Sequence, residues 1–150
     1  MKHVLSFINI FLISLSLSAA SVEGWDKTRW GMSVDEVKEL YAGSGIRESD
    51  RNQQVLVIES IRLNGRDYSV TFNFKTGMLA GVSIIMKEAM AYDYNEAVSS
   101  LSKKYGKTAN SDQMTTVWLF PKTVITCKYS DYVGKGMLII TYSSQQEFFQ

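Results

Sequence analysis

Two hydrophobic periods take turns along the chain. Val34, Val37, Leu40 and Tyr41 fall at helical spacing, and Tyr94, Ala97, Val98, Leu101 and Tyr105 do so again in the second half. Elsewhere the period is two. Tyr68, Val70, Phe72 and Phe74 alternate with Asp67, Ser69, Thr71 and Asn73, which predicts a strand with one buried and one wet face. Val55 to Leu63 and Met78 to Met86 predict its neighbours, joined through Asn64-Gly65 and Lys75-Thr76-Gly77. In the second half Thr115 to Phe120, Thr123 to Tyr129 and Met137 to Ser143 predict three more strands. Residues 44–54, 107–114 and 131–136 carry turn and polar residues and predict loops.

Helix boundaries are written in capping chemistry. Ser33 can accept a hydrogen bond from the amide three residues on, while Glu36 reaches back, and Met32 and Val37 occupy the two positions of a hydrophobic staple. Gly43 supplies a residue that tolerates a left-handed conformation past the helix end. Asp93 and Glu96 predict the second helix start, and Gly106 its stop. Together these predict an α+β fold: two tandem α-β-β-β units, about 31–87 and 92–143, with helices packed on one face of antiparallel sheet. Duplication would explain the order, and so would chance recurrence of a common pattern, because few residues match between the halves.

The first residues read differently. Lys2 is followed by the largely apolar stretch Val4 to Leu17 and by the small residues Ser18-Ala19-Ala20. That order predicts a signal peptide over residues 1–20, cleaved near Ala20, and a single domain over 21–150. The apolar stretch is short for a spanning helix, which needs roughly 20 apolar residues. The expected location is therefore periplasmic or secreted, with no transmembrane segment in the mature chain.

Charge narrows the partners. The chain has 16 Lys plus Arg against 15 Asp plus Glu, and removal of Lys2 makes the mature balance 15 against 15. A net charge near zero exerts no long-range pull on nucleic acid, so none is expected as a partner. The only histidine is His3, within the predicted signal. The mature chain then lacks the commonest general base near neutral pH and the commonest zinc ligand. Cys127 is alone, in a strand-like run. It is read as a small buried hydrophobe, with pairing between chains as the alternative. Acids fit helix starts and solvated faces, and no pair demands a catalytic role. No catalytic residue, metal site or cofactor is expected.

Aromatic residues are the remaining lead. If Val117 and Leu119 face the helix, Trp118 and Phe120 point outward as a candidate partner surface. The opposite phase puts Trp118 in the core and Val117 outside. A pocket between helix and sheet, lined by Met and aromatic residues, is a second candidate.

Trp30-Gly31-Met32-Ser33-Val34-Asp35-Glu36-Val37 resembles the helix-opening Gly-Met-Ser/Thr-x-x-x-Val pattern of small exported bacterial proteins, including the SmpA/OmlA-type outer-membrane-assembly lipoproteins. The wider group resembles the β-lactamase inhibitor protein, built of helix-plus-sheet units. The chain departs from these in having no lipobox cysteine, one clear helix per unit and no paired cysteines. The resemblance implies non-enzymatic recognition on a sheet scaffold. The function expected is thus an exported, non-enzymatic interaction module whose partner is another protein, a second copy of the chain included. A small-ligand carrier is the alternative, and a carboxylate-dependent hydrolase a more distant one.

Overall fold

The computed structural model describes residues 21–49, 52–63 and 65–148. The predicted signal peptide, residues 1–20, and Asn64 of the predicted turn lie outside the described residues. The elements run α1 (Val34–Leu40), β1 (Arg47–Ser49), β2 (Asn52–Leu63), β3 (Arg66–Lys75), β4 (Met78–Lys87), α2 (Ala91–Tyr105), β5 (Asn110–Asp112), β6 (Thr115–Leu119), β7 (Thr123–Tyr132), β8 (Lys135–Ser144) and α3 (Gln145–Phe148).

All eight strands belong to one antiparallel sheet in the order β1-β2-β3-β4-β8-β7-β6-β5. This corrects the expected α+β arrangement of two α-β-β-β units. The sheet is continuous through the β4–β8 pair, strands outweigh helices, and four strands rather than three follow each helix. The additional strands are β1 and β5, three residues each, inside the polar segments predicted as loops. They sit at the two edges of the sheet. Short polar edges resist pairing with other chains, and the same polarity gives them no alternation to read.

Strand alternation builds two unlike faces. Leu56, Phe72, Val82, Tyr142, Ile125 and Trp118 form one row across β2, β3, β4, β8, β7 and β6. Ile58, Val70, Ile84, Ile140, Cys127 and Thr116 form the next. All twelve are buried. The opposite face carries Val57, Thr71, Ser83, Thr141, Thr126 and Val117 in one row, all half-buried.

Both helices cover the apolar rows. Val37 of α1 is fully buried, and the Tyr41 ring meets Phe72 with centroids 5.1 Å apart. The predicted capping box is present: the Glu36 amide donates to Ser33 Oγ at 3.3 Å and the Ser33 amide donates to Glu36 Oε2 at 2.7 Å. The Ser33 amide, and the Ser33 hydroxyl that donates to the same oxygen at 2.9 Å, hold the Glu36 carboxyl below the usual carboxylate range, since they favour its charged form. The start of α2 departs from expectation. The helix opens at Ala91, so Asp93 is inside it rather than at its cap. Asp93 is buried, accepts from the Met90 amide at 2.8 Å and ion-pairs with Arg66 on β3. An Asp at the cap accepts from an amide of the first turn and an Asp at the third helical position accepts from the cap amide, and sequence spacing does not separate the two. Gly106 ends α2 at φ 80, as its position predicts.

The segment before α1 docks on the body. Trp30 Nε1 donates to Thr123 Oγ1 at 2.7 Å, and that hydroxyl donates to the Val22 carbonyl at 2.5 Å. Trp25 stacks on Tyr41 with centroids 6.3 Å apart. Among the described residues no helix is long and apolar enough to cross a membrane.

A cavity between the two helices as the candidate functional site

Unequal helix length leaves a gap over the apolar face. At 1.5 Å per residue, α1 covers roughly 10 Å of sheet and α2 roughly 22 Å. Between them lies a cavity of about 430 Å³. Ile58, Ile84 and Ile140 of the second buried row form its floor, with Tyr142 beside them. Ala97 and Leu101 of α2 form one wall, and Tyr41 with Trp25 the other. Ile61, Leu63 and Tyr68 extend the lining toward the β2–β3 turn. A break in the β2–β3 register between Ile58 and Ile61 is what brings Ile61 into this wall. One extra residue in a strand shifts its alternation, so Ile61 shares a face with Ile58 despite odd spacing.

Polar groups are few and localised. Tyr41 Oη donates to Asp26 Oδ2 at 2.9 Å. Tyr142 Oη and Tyr105 Oη share a hydrogen bond of 3.2 Å. Ser44, Ser100 and Lys104 complete the rim. Burial pushes the pKa of Tyr41, Tyr68 and Tyr142 above the ordinary phenol value, with the Asp26 hydrogen bond adding to it at Tyr41 and the Tyr105 hydrogen bond at Tyr142. The three phenols are therefore neutral at physiological pH and can donate hydrogen bonds. An apolar hollow with a few convergent polar groups is the usual form of a small-molecule site, and the volume lies within the ~300–1,000 Å³ such sites occupy.

A larger concavity of about 740 Å³ lies at one end of the sheet, between the β3–β4 turn and the residues after β6. Its borders are Trp30, the β3–β4 turn with Leu79 and Ala80 of β4, Pro121 and Lys122, and the junction of β8 with α3. No set of aromatic rings converges there, so the chemistry favours the smaller cavity. Among the described residues no group of three or more His, Cys, Asp or Glu comes together as metal ligands would.

Trp118 and Phe120 are not an outward pair. Trp118 is 0% exposed in the first buried row, and its Nε1 donates to the Gly106 carbonyl at 3.2 Å. Phe120 is half-buried, edge-on to Tyr105 at 5.7 Å. Val117 and Leu119 occupy the open face instead, Leu119 being exposed. Of the two phases the sequence allows, the strand takes the one with Trp118 in the core and Val117 outside, and the helix end supplies the carbonyl that the indole N–H needs when buried. Cys127 is fully buried in the next row, and burial pushes its thiol up to about 12, away from reactivity.

Sequence reasoning missed Trp25, Asp26, Tyr41, Tyr68 and Tyr142 as a set. The signal present was the recurrence of tyrosine at apolar-phase positions, where a buried hydroxyl needs a partner or a ligand.

The chain belongs to the TP0088 domain family, which it matches over residues 23–150. No curated protein and no solved structure matches it. Nothing in these comparisons links it to the outer-membrane-assembly lipoproteins or to the β-lactamase inhibitor protein that its helix-opening motif resembles.

Proposed function

We propose that this is an exported, non-enzymatic binding protein that holds a small, largely apolar molecule between α1 and α2. The observation carrying the reading is the cavity of about 430 Å³, floored by isoleucines and walled by aromatic rings. Export rests on the order of charged, apolar and small residues in the first 20 positions. The non-enzymatic character rests on the absence of histidine from residues 21–150 and on acids whose sequence positions fit helix starts and solvated faces.

Native mass spectrometry of protein purified from its own host tests the reading. A retained small molecule, lost in a Leu101→Trp variant that fills the cavity, is the expected result. A protein that stays free of small molecules, and binds none from a lipid extract, rules the carrier out.

A second reading, a protein interaction module, is favoured by a different observation. The β7–β8 turn presents Tyr132 and Val133 at 83% and 85% exposure. Val133 is held at φ 54, an uncommon conformation for a β-branched residue. Exposed aromatic and aliphatic side chains at a protruding tip suit a partner's pocket. Replacing Tyr132 and Val133 by Ser and Asn should abolish a pull-down partner, and unchanged capture counts against this surface.

A further inference from the structure

Among the described residues that line the cavity Asp26 is the one carboxylate, an exposed one at the edge of the aromatic wall. Trp25, next to Asp26, stacks on Tyr41 at an interplanar angle of 15°. The Tyr41 hydroxyl donates to Asp26 Oδ2 at 2.9 Å, which fixes the carboxylate at the aromatic wall. Tyr68 and Tyr142 enter the same space from β3 and β8. Asp26 itself stands at φ 52, in the left-handed region that few side chains adopt without support. Among the described residues no Lys or Arg forms an ion pair with Asp26.

Lys104 borders the cavity too, from α2, with its ammonium 5.0 Å from the centroid of the Tyr105 ring, so the lining carries one charge of each sign. The charge beside the Trp25–Tyr41 stack is the negative one, on the exposed Asp26, while Lys104 stands on the α2 side. Aromatic faces carry negative partial charge and attract cations, most strongly when water is excluded, and a carboxylate beside them adds to the attraction. An anionic head placed at that stack would meet repulsion from the same groups.

We propose that the site takes an amphiphilic organic cation, an alkylammonium. Its head sits against Asp26, Trp25 and Tyr41, and its alkyl chain lies over Ile58, Ile84 and Ile140. The proposal rests on the reading of this cavity as a ligand site and adds the charge of the ligand.

Calorimetric titration with decyltrimethylammonium, decanoate and decanol, each below its micelle concentration, tests it on the purified protein. The cation binds saturably and at least about tenfold more tightly than the other two. Asp26→Asn is the matching variant, because Asn tolerates a positive φ. It weakens the cation by about tenfold and leaves decanol unchanged. Asp26→Gly, which carries no backbone penalty at that φ, repeats the measurement if the Asn variant is unstable. Decanoate or decanol binding as tightly as the cation, or a cation affinity indifferent to both variants, overturns the proposal while the cavity stands as a ligand site. Failure of all three compounds to bind overturns the proposal and the carrier reading together.

Discussion

The two ends of the helix-covered face are built differently. Under α2 the sheet is closed: Trp118, Ile125, Cys127 and Leu138 are all fully buried, Tyr94 shares a 2.7 Å hydrogen bond with Thr116, and Trp118 reaches the helix end at Gly106. Toward α1 the cover is patched. A helix of seven residues cannot span the strands beneath it, so Trp25 from the leading segment fills part of the remainder and a cavity occupies the rest. Side chains of the same kind thus serve different ends. A tryptophan beneath a long helix is core, and a tryptophan beside a short one is the wall of a hollow.

The sharpest break of this comparison is a pair of truncations. Trp118→Ala removes a fully buried side chain and orphans the Gly106 carbonyl, and should cost ~3–5 kcal/mol in urea unfolding. Trp25→Ala removes a half-buried ring from the cavity wall and should cost ~1–2 kcal/mol while abolishing small-molecule retention. Equal costs would show that the two ends are equally packed.

Alkaline pH probes the same contrast less strongly. Cys127 has its thiol pushed from 9.0 to about 12 by burial. A raised value in the folded state means that the thiol's contribution is fully present below the unfolded value and is lost as pH rises toward the folded one. Tyr41 and Tyr142 act in the same direction from their ordinary value of 10.0. Urea midpoints should fall between about pH 8 and about pH 11, and Cys127→Ala should flatten that fall without removing it. An unchanged slope would place the thiol in contact with water.

The helix starts supply the smallest effects. Ser33→Ala removes the hydroxyl side of the box at α1, leaves the Ser33 amide bonded to Glu36, and should cost ~1 kcal/mol. Met90, at the cap of α2, is exposed and makes no side-chain hydrogen bond to the helix. Met90→Ser should therefore stabilise by ~0.5 kcal/mol, read as a higher thermal midpoint. A loss of stability instead would mean that Met90 has a packing role at that end.

Much of the fold was legible residue by residue. The Ser33–Glu36 box, the Gly106 stop and the alternation of Tyr68 to Phe74 rest on interactions only a few residues long, and each is present. The edges β1 and β5 were not legible, since three polar residues become a strand only when a neighbour supplies the hydrogen bonds. Of the site, the tyrosines were visible as members of apolar stripes. Their convergence with Trp25 and Asp26 was not, because those residues come from four separate elements.

Period and capping, both local, determined by sequence alone which residues would share a strand face or begin a helix. Which of two faces a helix would cover is not a local quantity. Alternation is the same in either phase, and only the docking of α2 over β7 and β8 put Trp118 inside and Val117 outside. The register break between Ile58 and Ile61, the single sheet joined at β4 and β8, and the hollow beside the shorter helix were likewise decided by tertiary contacts, where segments far apart in the chain compete for the same apolar surface.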